Sequence, residues 1–201
     1  MAGATGVIGV RLIPLLVADG HTVAGMTRTP DKAGLLRALG AEPVACDVFD
    51  LGALSQAVAA FGPDVVFHQL TDLPDDAADL ARLSDRNDRM RSEGTHNLLT
   101  AAAAAKAGRV IAQSISWEQP RQKSRAITAS HERAVLHAGG VVIRYGQLYG
   151  PGTYYETEPP PPPRIHVDDA ARQTLPALEV PPGVTIVADD RAAEGARPKS
   201  D

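Results

Sequence analysis

The sequence has little of several features that would place it in a special class of proteins. Cys46 is the only cysteine among 201 residues, which excludes an intramolecular disulfide and a thiolate metal cluster. No apolar run approaches the ~20 residues of a membrane span, and no basic region followed by an apolar stretch marks a secretory signal. The sequence therefore predicts a cytoplasmic protein without a membrane partner.

An excess of charge of one sign is also missing. The formal net charge is -4, and the charged residues, 22% of the chain, are mixed in sign. Without a basic stripe no nucleic-acid partner is expected, and without histidines at metal-ligand spacing no metal is expected. Hydrophobic residues make up 44% of the chain, enough for a sizeable core. We predict one domain over residues 1–190, followed by a disordered polar tail over 191–201.

What the sequence does contain is an alternation of apolar, β-branched runs with helical patterns. Strands are predicted at 21–26, 43–46, 64–68, 109–113, 141–144 and 184–187. Helices are predicted at 7–19, 31–39, 51–61, 85–106, 128–137 and 168–178, and the polar stretch 117–126 is predicted to be a loop. This alternation indicates an α/β fold, a Rossmann-like, doubly wound parallel sheet whose ligands bind at the carboxyl ends of the strands.

A glycine-rich turn, GATGVIG, occupies residues 3–9 and leads into the first helix. Gly3 permits a tight turn, Gly6 lets the backbone approach a diphosphate, and Gly9 lets the helix pack close to the sheet. The free amides and partial positive charge of the helix N-terminus attract phosphate. The alternative is an ordinary glycine-rich turn. The predicted phosphate-binding residues are Gly3, Thr5, Gly6, Val7 and Ile8.

Only Met1 and Ala2 precede this turn, where a complete strand is expected. A two-residue central strand leaves backbone groups of its neighbours unpaired, at roughly 1–3 kcal/mol for each buried group. We expect either further strand residues upstream of Met1 or a partly compensated sheet.

Residues at the ends of the next strands complete a predicted dinucleotide site. Arg28 stands where a site for NAD usually has an acidic residue, and an arginine there can pair with a 2′-phosphate. The sequence therefore favours NADP, with NAD possible, unless Arg28 is a solvated loop residue. Asp47 accepts a hydrogen bond from adenine or caps the next helix. His68 lies beside the ribose or has a structural role. The remaining predicted contacts are Val48 and Leu70.

Six segments in order resemble the extended and atypical short-chain dehydrogenase/reductase superfamily, specifically its NAD-dependent epimerase/dehydratase group. They are GATGVIG at 3–9, CDVFD at 46–50, EGTHNLL at 93–99 together with Asn87, QSIS at 113–116, VVIRYGQLYGPGT at 141–153 and IHVDDAA at 165–171. The resemblance implies a nicotinamide cofactor, a small-molecule substrate and a homodimer formed through the predicted helices 85–106 and 128–137.

The chain departs from this family at its acid–base pair, Tyr-x-x-x-Lys, which a glutamate follows. If Glu132 takes the glutamate position, Ser124 and Thr128 take the tyrosine and lysine positions, and no Tyr-x-x-x-Lys occurs anywhere. Serine and threonine are far weaker acids than a phenol beside a lysine, so they cannot substitute directly. The stretch 151–169 is also short for the family, which predicts a reduced C-terminal substrate region.

The remaining candidates for catalysis each have a structural alternative. By the resemblance, Ser114 would bond a substrate oxygen, but a serine at a strand end also bonds backbone. Tyr145 and Tyr149 are candidate proton donors or packing residues. His166 with Asp168 forms an oriented acid–base pair, unless Asp168 caps the last helix. His131 and His137 are predicted to lie on a solvated helix surface.

These observations predict an NAD(P)-dependent oxidoreductase or epimerase acting on a small carbonyl or hydroxyl metabolite. Two alternatives remain. One is an enzyme that kept the fold but changed reaction, such as a dehydratase, isomerase or cyclase of secondary metabolism. The other is a dinucleotide-binding sensor without catalytic activity.

Overall fold

The computed structural model describes residues 1–189, so the predicted tail over 191–201 lies outside the described residues. The strands are β1 (Ala24–Thr27), β2 (Glu42–Ala45), β3 (Val65–His68), β4 (Arg109–Ile115), β5 (Val141–Tyr145), β6 (Gln147–Tyr149), β7 (Arg164–His166) and β8 (Gly183–Val187). The helices are α1 (Gly9–Ala18), α2 (Ala33–Ala38), α3 (Leu51–Phe61), α4 (Ser84–Arg89), α5 (Thr95–Ala104), α6 (Gln122–His137) and α7 (Val167–Thr174). A π-helical turn, Met90–Gly94, joins α4 to α5.

The main sheet is parallel and confirms the predicted fold class. Strands β1 and β2 pair with each other, and β3, β4, β5 and β8 pair in that order. Ala2 connects the two groups because it forms a parallel bridge to Met26 in β1 and another to His68 in β3. The spatial order is therefore β2, β1, the Met1–Ala2 segment, β3, β4, β5 and β8. This is the order of a doubly wound sheet with its switch point at the N-terminal segment.

The two-residue N-terminal segment bonds to both neighbouring strands. The Ala2 amide donates to the Phe67 carbonyl at 2.9 Å, and the Gln69 amide donates to the Ala2 carbonyl at the same distance. On the other side the Met26 amide donates to the Met1 carbonyl at 2.9 Å. The expected compensation is thus present next to the glycine turn.

Helices cover both faces of the sheet, and each face has its own apolar core. Helices α1 and α7 pack on one face around Leu12, Ile13 and Ile143. Helices α3 and α5 pack on the other around Leu54 and Leu98. Within residues 1–189, no helix is long and apolar enough to cross a membrane.

The main error of the sequence-based prediction concerns α6. This helix begins at Gln122, so residues 122–126 of the predicted loop are helical. Its buried side is almost entirely polar: Ser124, Thr128, His131, Glu132 and, as the one apolar member, Val135. A method that looks for apolar periodicity does not detect such a face. The predicted exposure of His131 was also wrong, because only 2% of this residue is exposed.

The segment between β5 and α7 forms a small second sheet. Strands β6 and β7 pair in parallel, from Gln147 opposite Arg164 to Tyr149 opposite His166. The five consecutive prolines at 159–163 lie between these strands and contain no helix or strand. This short connection lies where the sequence predicts a reduced substrate region.

Candidate nucleotide-binding site

The glycine turn is shaped by close backbone contacts. Gly3 has φ of +83°, and a Cβ there would lie 2.4 Å from the Gln69 carbonyl oxygen. A Cβ on Gly9 would lie 2.4 Å from the Gly3 carbonyl oxygen. Side chains at both positions would therefore collide with backbone, so the turn depends on glycine where the sequence predicts it.

The outer side of this turn is open and rich in hydrogen-bond donors. Gly6 is exposed, while Thr5 and Val7 are half-buried. Among the described residues the amides of Val7 and Ile8 donate to no backbone carbonyl. They lie just before α1, whose N-terminus carries a partial positive charge. Free amides beside an exposed glycine fit the diphosphate of a dinucleotide.

Arg28 follows β1 and has a side chain that is 49% exposed. It lies 3.8 Å from the carboxylate of Asp72, which Arg86 contacts more closely, at 2.5 Å. Because Arg86 already neutralises Asp72, the Arg28 guanidinium is held only weakly. It is available at the end of β1 for another anion.

Asp47 and Val48 follow β2 and have different environments. Asp47 is exposed, and one of its carboxylate oxygens accepts from the Phe49 amide at 3.0 Å. The alternative of a helix-capping Asp47 was wrong, because Asp50 caps α3 by accepting from the Ala53 amide. Val48 is buried, and its carbonyl accepts from the Asn97 side chain at 2.9 Å.

His68 ends β3 inside a buried chain of hydrogen bonds. The Leu70 amide donates to His68 Nδ1 at 3.4 Å, so His68 Nε2 carries the proton and donates to Thr95 Oγ at 2.9 Å. The Thr95 hydroxyl then donates to His131 Nδ1 at 2.8 Å. His131 Nε2 donates to the Gln113 carbonyl at 2.9 Å. The amide at one end and the carbonyl at the other set the direction of every bond.

The two histidines in this series of hydrogen bonds, His68 and His131, are both held neutral. Burial lowers the pKa of His68 well below its usual value, and the positive charge of Arg91 contributes. Burial lowers the pKa of His131 to about 4, again with a contribution from Arg91. A neutral imidazole at each position is what the bond directions require.

Ser114 is fully buried at the end of β4, and its hydroxyl donates to Glu132 on α6 at 2.5 Å. Arg144 on β5 forms a two-point ion pair with the same carboxylate, at 2.9 and 2.5 Å. Burial alone would raise the pKa of Glu132, but the hydrogen bonds from Arg144 and Ser114 outweigh it and lower this pKa. The Ser114 hydroxyl thus has a charged partner within the protein.

The positions that the resemblance gives to the tyrosine and lysine carry two buried hydroxyls, those of Ser124 and Thr128. Ser124 donates to the Asp88 carboxylate at 3.1 Å, and Thr128 accepts a hydrogen bond from the Arg91 guanidinium. Arg91 is only 3% exposed, and its Nε has no hydrogen-bond partner within residues 1–189. It lies in the π-helical turn, a distortion common at functional sites.

The other predicted catalytic residues lie on the α7 side of the sheet. The buried Tyr145 hydroxyl bonds Thr174 at 2.6 Å and Gln69 at 3.3 Å, and burial raises its pKa to about 12. Tyr149 is half-buried and donates to Asp189 at 3.3 Å. His166 stacks edge-on against Tyr149 and caps α7 by accepting from the Asp168 amide at 3.3 Å.

Asp168 is committed to a different partner, since Arg11 on α1 donates to its carboxylate at 2.5 Å. A hydrogen bond from Arg11 holds the pKa of Asp168 below its usual value. The alternative that Asp168 caps α7 was wrong, because the capping side chain is that of His166.

Comparison with known proteins identifies the domain that contains this site. Residues 3–137, which include the glycine turn, match the sequence profile of NAD(P)H-binding proteins. The chain belongs to the NAD(P)H-binding family. It is 33% identical to 3-diazoavenalumate denitrifying reductase from a Streptomyces species, over 98% of this chain and 77% of that protein. The alignment spans 239 positions, more than this chain has residues, so the relative carries internal segments with no counterpart here.

Solved structures agree on the fold. UDP-glucose 4-epimerase from Thermus thermophilus, in complex with NAD, superposes with a TM-score of 0.76 at 19% identity over 93% of this chain and 76% of that one. The enzyme WbmH from Bordetella bronchiseptica, in complex with NAD⁺, gives a TM-score of 0.70 at 18% identity over 94% and 74%. These superpositions confirm the Rossmann-like fold.

Sequence reasoning missed most of the buried polar residues beneath the site. Asp88, Arg91 and Thr95 were not singled out, and His131 was placed on the surface, although each bonds to a residue that was discussed. The sequence does show polar residues at helical spacing in α6. Taken alone, this pattern predicts a solvent-exposed helix face. Only the π-helical turn that packs against α6 shows that the face is buried.

Proposed function

We propose that this protein is an NADPH-dependent reductase that delivers hydride to a small, electron-poor metabolite without a tyrosine–lysine acid–base pair. The observation that carries the proposal is the combination of an open phosphate-binding turn with Ser124 and Thr128 at the tyrosine and lysine positions. Both hydroxyls are already bound, to Asp88 and Arg91. The site can hold the cofactor but lacks the usual acid.

The chain's own residues account for cofactor binding. The amides of Val7 and Ile8 bind the diphosphate, and Gly6 leaves room for it. Asp47 reaches the adenine end. Arg28 pairs with a 2′-phosphate because its alternative partner, Asp72, is already neutralised by Arg86. These roles favour NADPH over NADH.

The substrate class is inferred from the missing acid together with the reductase relative, whose name describes the removal of nitrogen from a diazo compound. When bound, the reduced cofactor supplies hydride, and hydride added to an aryl diazonium ion, Ar–N₂⁺, gives Ar–H and N₂ with no proton required. Because this reaction needs no proton donor, it does not depend on Ser114, which is buried and bound to Glu132. It also does not depend on Tyr145, whose pKa is raised. We therefore propose an aromatic diazo acid as substrate.

The test is anaerobic turnover with NADPH and an aryl diazonium carboxylate labelled with ¹⁵N. We expect stoichiometric loss of NADPH, release of labelled N₂ and transfer of deuterium from NADPD into the arene. Gly6→Asp, which places a carboxylate where the diphosphate binds, is the control for non-enzymatic reduction. A rate equal to that of this variant contradicts the proposal.

The same protein should be assayed with the substrates of the alternatives. Interconversion of UDP-glucose without net cofactor consumption would indicate an epimerase, and turnover independent of added cofactor would indicate a changed reaction. Saturable NADPH binding by calorimetry with no turnover of any substrate would indicate a sensor. Absence of NADPH and NADH binding would refute all interpretations based on the glycine turn.

We also propose that the protein forms a homodimer through α5 and α6, which lie against each other and each present an outer face to solvent. Sedimentation equilibrium should give twice the chain mass. Ala103→Glu and Ala129→Glu, on the exposed faces of these helices, should produce monomers.

A further inference from the structure

Two arginines and one aspartate from three separate segments meet at the carboxyl edge of the sheet. Arg28 follows β1, Asp72 lies in the loop after β3, and Arg86 lies on α4. Strands β1 and β3 flank the Met1–Ala2 segment, so these three residues span the switch point at which the glycine turn begins. Ligands of doubly wound sheets bind at this point. We call Arg28, Asp72 and Arg86 the arginine cluster.

Asp72 is fixed in the arginine cluster by two contacts with α4. Its amide donates to the side-chain oxygen of the buried Asn87 at 3.1 Å, and its carboxylate oxygen Oδ1 accepts from Arg86 at 2.5 Å. The Arg28 guanidinium lies 3.8 Å from the same oxygen, which is beyond hydrogen-bond distance. The Asp72 side chain is only 13% exposed, whereas about half of each arginine side chain is exposed. The arginines, and not the carboxylate, are therefore the part of the cluster that solvent reaches.

The arginine cluster has an excess of one positive charge. Within residues 1–189, neither guanidinium has a second carboxylate within 4.0 Å. A guanidinium has five N–H donors, and the hydrogen bond to Asp72 uses one of those of Arg86. Because both arginines are half-exposed, their remaining donors are available to an anion that approaches from solvent.

We infer that Arg86 binds the 2′-phosphate of NADPH together with Arg28, and that Asp72 holds Arg86 in place while its negative charge limits the affinity. This inference rests on the proposed function and adds a residue of α4 to the cofactor site. A phosphate monoester carries about −1.5 to −2 charges at pH 7, which two arginines neutralise better than one. NADH has a hydroxyl at this position, so its affinity should not depend on the second guanidinium.

The experiment measures NADPH and NADH binding by calorimetry in single variants of the arginine cluster. Arg86→Ala should weaken NADPH binding by about tenfold or more and leave NADH binding within about twofold. Asp72→Asn keeps an acceptor for Arg86 but removes the negative charge, so it should strengthen NADPH binding by about threefold or more. Arg82→Ala is the matched control, because Arg82 is an exposed arginine just before α4 that pairs with Asp79. It should change the affinity for neither cofactor.

Arg86→Ala is then repeated in the Asp72→Asn background, which separates contact with the phosphate from neutralisation of Asp72. If Arg86 contacts the phosphate, NADPH should bind about tenfold more weakly to the double variant than to Asp72→Asn alone. Equal NADPH affinity of these two variants would show that Arg86 acts only by neutralising Asp72, and it would overturn the inference. Unchanged NADH binding in every variant shows that the fold and the glycine turn are intact.

Arg28→Ala distinguishes a failure of this inference from a failure of the proposed function. If Arg28→Ala weakens NADPH binding alone and Arg86→Ala does not, the inference is wrong and the proposed preference for NADPH stands. If the unmodified chain binds NADPH and NADH equally and neither arginine variant changes either affinity, both are wrong. Equal losses for NADPH and NADH in Arg86→Ala would place this side chain on a part that the two cofactors share, and they too would overturn the inference.

Discussion

The guanidinium of Arg91, on the π-helical turn, donates a hydrogen bond to the hydroxyl of Thr128 on α6. One turn earlier on α6, Ser124 donates to Asp88 on α4. These two helical segments are thus joined by buried polar contacts, at the positions where the superfamily resemblance places the tyrosine and lysine. Arg91 supplies a cation in this region, but it lies on the π-helical turn and not on α6, where the resemblance places the lysine.

The charge of Arg91 should be measurable through its neighbours. Arg91→Met removes a cation whose electrostatic effect lowers the pKa of both His68 and His131. We expect the pKa of each histidine to rise in this variant and to remain below the usual value, because burial is the larger cause. NMR pH titration of the imidazole resonances measures it. Arg133→Met, at an exposed position of α6, is the control and should leave both values unchanged.

Stability should fall with acid because the folded protein holds two histidines neutral. The pKa of His131 is about 4 when folded, against 6.5 in an unfolded chain, so its contribution is complete above pH 6.5 and is lost as the pH falls toward 4. Each such histidine contributes roughly 1.4 kcal/mol per pH unit in that window. The buried Met1 amine, whose pKa folding lowers from 8.0 to about 5, also takes up a proton on unfolding. Urea unfolding between pH 5 and 6.5 should therefore show a slope near three protons, falling to about two in His131→Gln. The exposed His137→Gln should keep the original slope.

Cofactor binding should depend on the open side of the glycine turn. Gly6→Asp has room for its side chain, since the nearest atom to a Cβ, the Gly3 carbonyl oxygen, is 3.4 Å away. We expect NADPH affinity to fall by about 100-fold or more through repulsion of the diphosphate. The free energy of unfolding should change by less than about 0.5 kcal/mol. The control is Gly34→Asp on α2, where a Cβ has no other atom within 4 Å. This variant should bind NADPH with normal affinity in calorimetry. Unaltered binding by Gly6→Asp would exclude the turn as the phosphate site.

The sheet could be predicted from sequence because its signals are local. Each main-sheet strand after the N-terminal segment is a short apolar run bounded by turn residues, and the predicted limits differ from the observed ones by three residues or fewer. Strands β6 and β7 were missed because three residues are too few to show an alternating pattern.

The polar network under the site could not be predicted in this way. Whether Thr128 or His131 is buried depends on what packs against α6, and the answer is a π-helical turn carrying Arg91. The N-terminal segment was also not predicted to be a strand, because two residues are too few to show a pattern. Ala2 nevertheless bridges two strands, since β1 and β3 lie on either side of it.

Arg28 should control the choice between NADPH and NADH. Arg28→Ala removes the guanidinium assigned to the 2′-phosphate, and hydrogen bonds to charged groups contribute about 1.5–3 kcal/mol. We expect NADPH to bind roughly 10- to 100-fold more weakly while NADH binding stays the same, as measured by calorimetry with both cofactors. Arg37→Ala removes an exposed arginine on α2 and is the control for the loss of one positive charge. An equal loss for both cofactors would assign Arg28 to another part of the dinucleotide.

Ser114→Ala tests whether the buried hydroxyl serves Glu132 or a substrate. Because the hydroxyl donates to Glu132 at 2.5 Å, its loss should lower the free energy of unfolding by about 1–3 kcal/mol. Arg144 still pairs with Glu132, so the fold should persist and kcat should stay within about threefold. Ser116→Ala, at a half-buried position just after β4, is the matched control, since its hydroxyl donates to the Tyr145 carbonyl at 3.0 Å. A 100-fold loss of kcat in Ser114→Ala with unchanged stability would instead place this hydroxyl on the substrate, as the superfamily resemblance implies.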